Sequence, residues 1–143
     1  MTYADTSALA KLLIAEAETA ALGAYLAAAT DRTTSSELTI AELTRTVTRA
    51  GVDAASAGLL LRQLDLLAID EASLWRAGRL PSPPGTFLRT ADAIHLIAAM
   101  ELAETDFLTY DRRQAQAAEA RGFIVIAPGR PHGWHRWLGP PVR

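Results

Sequence analysis

Two short apolar segments near the C-terminus enclose a helical segment, and this arrangement limits most strongly the folds that the chain can adopt. DFLTYD is followed by RRQAQAAEARG, which is typical of a helix ended by Gly122, and then by FIVIAPG. An apolar segment such as DFLTYD is typical of a strand that is buried on both faces of a parallel sheet. The C-terminal part of the chain therefore predicts a strand, a helix and a second strand in succession.

Helical and strand patterns also alternate through the rest of the chain. TYA predicts a first strand, the start of DRTTSSEL is polar and β-prone, and a brief strand is predicted at Leu67–Ile69. Helical patterns are found in TSALAKLLIAEAE, ETAALGAYLAAAT, VDAASAGLLLRQLDLL and ADAIHLIAAMELA. Because helices alternate with short apolar strands, we predict an α/β fold with a mostly parallel sheet.

Several residues have the positions of helix caps. Thr34 and Glu37 have the spacing of a capping box, and the helix after them is predicted to stop at Gly51. Asp53 and Thr90 are predicted to cap two later helices. PSPPGTFLR predicts a rigid loop before the second of these, because three prolines and a glycine prevent regular structure.

The composition is that of a globular domain in a reducing compartment. The chain has 143 residues, half of them hydrophobic, with no cysteine and a formal net charge of −2. No signal peptide is visible and no apolar run is long enough to span a bilayer, so we expect a cytoplasmic protein with no membrane partner. We expect one domain at residues 1–128, followed by an aromatic and basic tail at residues 129–143 that has no periodicity.

Acidic residues follow two of the predicted strands. Asp5 comes directly after TYA, and Asp111 ends DFLTYD. Because the carboxyl ends of parallel strands meet at one edge of a sheet, where ligands bind, these two carboxylates are predicted to share that edge. Asp106 begins its strand and is predicted at the opposite edge. Both Asp5 and Asp111 also have an ordinary interpretation as helix caps, and Asp111 has capping-box spacing with Gln114.

Two further acids lie within predicted helices. Asp92 is in the first turn of a helix that is apolar nearly all round, and a buried carboxylate costs free energy unless it is paired or binds a metal. Glu42 lies in mid-helix and is followed by Arg45 and Arg49, a spacing typical of a solvated, ion-paired face. His95, one turn after Asp92, is interpreted as a packed, hydrogen-bonded histidine rather than a metal ligand.

Four segments of the chain together resemble a known family. DTSAL, ELTIAEL, LRTADAIHLIAA and FLTYDRR, in this order, resemble the PIN-domain nucleases, and in particular the VapC-type ribonuclease toxins of bacterial toxin–antitoxin pairs. The resemblance runs from about Thr2 to Pro128, and the pairing of LRTADAIHL with FLTYDRR is its most specific feature. It implies a PIN-like three-layer fold with helices on both sides of a short central sheet.

The resemblance implies a catalytic site built from acids. Four acids match the family's acidic positions residue by residue: Asp5, Glu42, Asp92 and Asp111. Family members often have a hydroxyl beside the first and last acids, and Thr6 and Thr109 match these positions. We expect these two hydroxyls to orient the carboxylates.

The implied activity is that of a metal-dependent endoribonuclease. Clustered carboxylates repel one another, and a divalent cation reverses that cost. Carboxylate oxygens suit Mg²⁺ or Mn²⁺, which also bind phosphate. We expect Asp5 and Asp92 to bind the metal directly, and Asp111 to bind a second metal or to act through water. Glu42 is expected to orient the attacking water or to complete a metal site.

An acidic site also needs cations that hold the phosphates of RNA. Four arginines that lie near the acids in the sequence are expected to bind RNA: Arg45, Arg49, Arg112 and Arg113. The tail offers Trp134 and Trp137 for base stacking and Arg130 and Arg136 for phosphate. Packing of the tryptophans on the domain or on a second subunit is the favoured alternative for the tail.

The resemblance also implies protein partners. These are a second copy of the chain, in a homodimer, and a cognate VapB-type antitoxin that lays a segment across the acidic cleft. A guanidinium from such a segment can replace the charge of the metal. Trp75 and Leu80 are candidates for the dimer face.

The alternative to an enzyme is a non-catalytic α/β protein-binding module whose acids are helix caps. The stability of such a module would not depend on divalent ions.

Overall fold

A five-stranded parallel sheet lies at the centre of the molecule. The computed structural model describes residues 1–136. The strands of this part are β1 (Thr2–Ala4), β2 (Thr34–Ser36), β3 (Asp65–Leu67), β4 (Asp106–Leu108) and β5 (Ile124–Ile126). They are arranged in the order β3-β2-β1-β4-β5, and every neighbouring pair is parallel. The predicted α/β class with a mostly parallel sheet is confirmed.

Seven α-helices within residues 1–136 connect and cover the strands. They are α1 (Thr6–Ala10), α2 (Thr19–Ala28), α3 (Leu38–Arg49), α4 (Ala54–Leu61), α5 (Glu71–Gly78), α6 (Thr90–Glu101) and α7 (Arg112–Ala120). One further helical turn, Trp134–Arg136, ends the described part. None of the helices in residues 1–136 combines the length and the apolar character that crossing a membrane requires.

The helices pack on both faces of the sheet, which makes the fold three-layered. Tyr3 and Phe107 are register partners in β1 and β4, and they lie in a core with side chains of α5, α6 and α7. Ala4 and Leu108, the next pair, lie in a second core with side chains of α1 to α4. This division follows from the alternation of side chains along a strand, which sends successive residues to opposite faces.

The first predicted helix is shorter than its sequence pattern indicates. α1 ends at Ala10, and α2 begins only at Thr19. The side chain of Lys11 is buried, and its ammonium group donates to the carboxylates of Glu16 and Glu18. Because a buried ammonium group must be paired, the chain turns after α1 to bring these two acids to it. The tertiary contact thereby overrides the helical periodicity of TSALAKLLIAEAE.

The capping box predicted at Thr34 is wrong. Thr34 lies in β2, and its hydroxyl donates to the backbone oxygen of Thr2 at 3.2 Å and to the carboxylate of Glu104 at 3.1 Å. Glu37 occupies the N-cap position of α3 and makes no capping bond with its side chain. The Thr34 hydroxyl bonds residues that are distant in the chain. The spacing of Thr34 and Glu37, which resembles a capping box, does not indicate those bonds.

Other element boundaries shift by one or two residues. Thr90 is the first residue of α6, and Arg89 precedes it at the N-cap position, so the predicted cap at Thr90 is wrong. Asp53 caps α4 as predicted. β3 lies at Asp65–Leu67 rather than at 67–69, because its pairing with β2, which the sequence does not display, sets where the strand begins.

The described part of the tail, residues 129–136, lies against the domain. Arg130 pairs with Glu18 at 2.6 Å, and Arg136 pairs with Glu119. The guanidinium carbon of Arg130 also lies 5.5 Å from the ring centroid of Trp134, which is partly buried. Both arginines therefore bind carboxylates of the domain, which agrees with a packing role for this segment. Trp137 lies outside the described residues, and the division at residue 128 stays a prediction.

We expect Phe107→Ala to lower the free energy of unfolding by about 3–5 kcal/mol, because it leaves a cavity in the core. Phe107 is fully buried, and its ring centroid lies 5.2 Å from that of Tyr3 and 5.6 Å from that of Phe123. Urea unfolding measures the change. The matched control is Phe87→Ala at a position that is 70% exposed, where we expect a change below about 0.5 kcal/mol. Equal losses in the two variants would contradict this packing.

Candidate active site

Asp5 and Asp111 lie at the carboxyl edge of the sheet. Asp5 follows β1 directly, and its backbone N–H donates to the backbone oxygen of Leu108, the last residue of β4, at 3.1 Å. Asp111 comes three positions after β4 ends. Because β1 and β4 are parallel neighbours, the two acids meet at one edge, while Asp106 starts β4 at the other.

The carboxylate of Asp5 is buried and bonded through both of its oxygens. Only 4% of the residue is exposed. Oδ1 accepts from the Ser7 hydroxyl at 2.6 Å and from the N–H of Ala8 at 3.1 Å, and Oδ2 accepts from the Thr109 hydroxyl at 2.6 Å. Burial raises the pKa of Asp5 above its ordinary value, and these bonds and the charge of His95 offset that rise only in part. Asp5 is thus a carboxylate whose negative charge is costly in the folded protein.

A single arginine joins Asp92 to Asp111. The Nε of Arg89 donates to Oδ2 of Asp92 at 3.0 Å, and its Nη2 donates to Oδ2 of Asp111 at 2.9 Å. These two bonds, together with the negative charges, raise the pKa of Arg89. Arg89 is not among the site residues predicted from the sequence, although it lies three residues before Asp92, a spacing at which side chains can meet.

Glu42 faces the site rather than a solvated, ion-paired surface. Its Oε1 accepts from the Thr6 hydroxyl at 2.8 Å and lies 2.6 Å from Nε2 of His95. Nδ1 of His95 lies 2.7 Å from the hydroxyl of Tyr3, so His95 is packed and hydrogen-bonded as predicted. Burial alone would raise the pKa of Glu42, but the bonds from His95 and Thr6 and the charges of His95 and Arg89 outweigh it and lower that pKa.

Hydrogen bonds through Thr109 and Arg89 join Asp5, Asp111 and Asp92 into one network, and Glu42 is bonded to the residue that follows Asp5. Thr6, next to Asp5 in the chain, bonds Glu42. The Thr109 hydroxyl donates to Asp5 and accepts from the backbone N–H of Asp111 at 3.1 Å. Thr6 and Thr109 therefore contact the acids that they were expected to orient, while their roles in catalysis, like those of the acids, stay predictions.

The capping interpretation and the site interpretation apply to the same residues. Asp5 accepts from the N–H of Ala8 and caps α1, and Oδ1 of Asp111 accepts from the N–H of Gln114 at 3.0 Å and caps α7. In each case the other oxygen, Oδ2, bonds a side chain of the network. Capping therefore leaves one oxygen of each carboxylate directed at the rest of the site.

The donor chemistry fits a hard divalent cation. In residues 1–136 as arranged, no three His, Asp or Glu side chains are grouped closely enough to hold a metal ion, and a guanidinium bridges Asp92 and Asp111. The four acids offer carboxylate oxygens alone, which Mg²⁺ and Mn²⁺ prefer. A cation held by these acids would offset their negative charge, including that of Asp5, which burial makes costly.

The four arginines expected to bind RNA are exposed on the surface of α3 and α7. Arg45 and Arg49 are exposed on α3, one and two turns after Glu42. Arg112 and Arg113 are exposed in the first turn of α7, directly after Asp111. Their exposure is compatible with contact to a charged ligand, and their role stays a prediction.

The family model described as PIN domain matches residues 2–120. The chain belongs to the PIN domain family. Ribonuclease VapC47 of Mycobacterium tuberculosis (strain CDC 1551 / Oshkosh) is 40% identical to this PIN domain protein over 136 residues, which cover 90% of this chain and 98% of the relative. Ribonuclease VapC46 of Mycobacterium tuberculosis (strain ATCC 25618 / H37Rv) is 42% identical over 129 residues, covering 88% and 96%. The resemblance to VapC-type PIN domains is confirmed.

Solved structures agree with the three-layer PIN fold. Mycobacterium tuberculosis VapC20, described as a sarcin-ricin loop cleaving toxin, matches with a TM-score of 0.76 at 16% identity and covers 90% of this chain and 100% of that one. FitAB bound to an IR36 DNA fragment matches with a TM-score of 0.66 at 18% identity, covering 93% and 99%. At these identities the likeness concerns the fold.

We expect Asp5→Asn to raise the free energy of unfolding at neutral pH in EDTA, because it removes a buried negative charge. Burial raises the pKa of Asp5, so the wild type loses stability as the pH rises from the ordinary pKa through the raised one. Because asparagine carries no charge, the difference in unfolding free energy between the variant and the wild type should shrink as the pH falls from 7 to about 4. Urea unfolding over this pH range measures the difference.

The control for this prediction is Asp106→Asn. Asp106 is partly exposed at the opposite edge of the sheet, where we expect no comparable gain in stability. If Asp5→Asn were clearly less stable than the wild type at pH 7, the three hydrogen bonds to Asp5 would outweigh the cost of burying its charge.

Proposed function

We propose that this PIN domain protein is a metal-dependent endoribonuclease and the toxin of a toxin–antitoxin pair. The observation that carries the proposal is the joining of Asp5, Asp92 and Asp111 by hydrogen bonds through Thr109 and Arg89, with Glu42 held next to them by Thr6, the residue that follows Asp5. Relatives named ribonuclease VapC support it, since they match nearly the full chain at about 40% identity.

Asp5 and Asp92 would bind Mg²⁺ or Mn²⁺ directly, and Asp111 would bind a second metal or act through water. The chemistry that such a cation supplies in phosphodiester hydrolysis is activation of water and stabilisation of charge on the reacting phosphate. Thr109 holds Oδ2 of Asp5 and the backbone of Asp111, and thereby sets the distance between two of these carboxylates.

Glu42 is suited to orient the attacking water. Its pKa is lowered, so it is ionised at neutral pH and accepts hydrogen bonds. Within residues 1–136, Thr6 and His95 both bond Oε1 of Glu42, and Oε2 is the oxygen that would accept from a water. A lowered pKa makes Glu42 a weak general base, which favours orientation over proton abstraction.

RNA would be held by the exposed arginines beside the acids. Arg45 and Arg49 on α3, and Arg112 and Arg113 on α7, would contact phosphates and set the path of the strand without reading its sequence. Binding of this kind weakens as salt rises, because phosphate contacts release counterions.

The proposed partners are a second copy of the chain and a VapB-type antitoxin, and the proposed place of action is the cytoplasm, where the RNA is. Trp75 is exposed on α5, as expected in an isolated subunit for a residue of a dimer face. Leu80 is partly buried and packs against the core that contains Tyr3 and Phe107. An antitoxin arginine could bind the acids as Arg89 does within this chain.

The first test is cleavage of total cellular RNA by antitoxin-free protein. We expect discrete products with Mg²⁺ or Mn²⁺, none with EDTA, and a loss of roughly 100-fold or more in rate for Asp92→Asn, because a metal-binding carboxylate is removed. Asp106→Asn is the matched control and should keep the wild-type rate, since it lies at the other edge of the sheet. Cleavage by Asp92→Asn at the wild-type rate would refute the site assignment.

Thermal unfolding separates the enzyme from the binding-module alternative. We expect Mg²⁺ at about ten times its dissociation constant to stabilise the wild type by about 1.4 kcal/mol, because the ion binds only the folded protein. Asp92→Asn should lose this gain, and Asp106→Asn should keep it. A melting temperature of the wild type that does not respond to Mg²⁺ or Mn²⁺ would favour the module whose acids are helix caps.

A further inference from the structure

The proline-rich loop that leads to Arg89 is anchored at several points. The backbone N–H of Leu88 donates to the Ser82 hydroxyl at 3.0 Å, and the hydroxyl of Thr86 donates to the side chain of Gln116 on α7 at 3.0 Å. Arg121 donates to the backbone oxygen of Pro81. The loop is therefore a fixed element of the surface, and the residues at its end have defined directions.

The end of the loop presents an aromatic ring to solvent. Phe87 is 70% exposed, Leu88 is only 8% exposed, and the side chain of Arg89 is 51% exposed. Arg89 has extended backbone angles, φ −74° and ψ 158°. In extended backbone, alternate side chains point to the same side. Phe87 and Arg89 are thus two exposed side chains separated by one buried residue, and Leu88 packs in the core.

Arg89 brings this outer surface into contact with the acids. Its two bonds to Asp92 and Asp111 use Nε and Nη2, whereas a guanidinium has five N–H groups in a planar fork. The half-exposed side chain can therefore bond a phosphate oxygen while it contacts a carboxylate, or release the carboxylates when a cation takes its place. A phosphate bound by Arg89 would lie at the acids, and Phe87, two residues earlier in the chain, is the nearest exposed ring in sequence to which the adjacent base could turn.

We propose that Phe87 and Arg89 form a nucleotide subsite next to the acids, in which Phe87 stacks on an unpaired base and Arg89 bonds the adjacent phosphate. This inference rests on the proposed ribonuclease function and names two residues that would hold its substrate. An exposed ring can stack only on a base that has left its own stack, so the substrate is single-stranded RNA or a loop, not a continuous duplex. An aromatic ring beside a cation is the usual combination for such strands.

The test is binding of RNA in EDTA, which prevents metal-dependent cleavage. The probe is a short single-stranded RNA that carries 2-aminopurine, whose fluorescence falls when it stacks. We expect Phe87→Ala to weaken binding roughly 5- to 100-fold and to abolish the quenching, because one stacking contact is lost. Phe87→Trp should retain both, and binding of a blunt duplex of the same sequence should not change with Phe87→Ala.

The matched control is Ile124→Ala. Ile124 is an exposed apolar residue in β5 and is the register partner of Asp106, so it lies at the edge of the sheet opposite the acids. This variant should bind the single strand like the wild type. Equal affinities of the wild type and Phe87→Ala for the single strand would overturn the proposal. Unchanged RNA affinity with a changed oligomeric state, measured by light scattering, would assign Phe87 to a subunit contact and overturn it as well.

An error in the subsite and an error in the enzymatic function would give different experimental results. If the wild type cleaves RNA in an Asp92-dependent manner while Phe87→Ala leaves affinity and KM unchanged, only the subsite is wrong. If Phe87→Ala weakens single-strand binding but the wild type cleaves nothing with Mg²⁺ or Mn²⁺, the subsite stands and the enzymatic function is wrong.

Discussion

The parallel pairing of β1 with β4 is the constraint on which the candidate site depends. It joins two segments that lie far apart in the chain, since Asp5 and Thr109, which share a hydrogen bond, are 104 positions apart. The bond from the N–H of Asp5 to the backbone oxygen of Leu108 closes the ends of the two strands. The positions of Glu42 and Asp92 depend on the same two strands, because the helices that carry these acids pack on the two faces of the sheet.

A concentration of negative charge at one edge must be balanced within the fold. Arg89 balances Asp92 and Asp111, and His95 and Thr6 hold Glu42 by hydrogen bonds. Asp5 is held by hydroxyls and a backbone N–H, and burial still raises its pKa. This unequal balance, in which one carboxylate has no direct cationic partner among residues 1–136, is the electrostatic condition that a divalent cation would relieve.

The same carboxylates serve the fold and the site. Asp5 and Asp111 each use Oδ1 to cap a helix and Oδ2 to bond the network. Helix caps fix the position of a carboxylate more firmly than a free side chain would be fixed, since rotation would break the cap. The positions of Asp5 and Asp111 are therefore linked to the stability of α1 and α7. The capping and catalytic interpretations of these residues do not exclude each other.

Local patterns in the sequence determined the fold class, the strands at TYA and DFLTYD, the shared edge of Asp5 and Asp111, and the burial of Asp92. The helices and strands follow from the periodicity of neighbouring residues. The shared edge of the two acids follows from the rule that parallel strands end at one edge of a sheet. The tertiary structure alone decided that Glu42 meets His95, 53 positions away, that Arg89 joins two acids, and that Lys11 ends α1 early. Those contacts depend on how helices pack across the sheet, and the free energy of pairing a buried charge outweighs local propensity there.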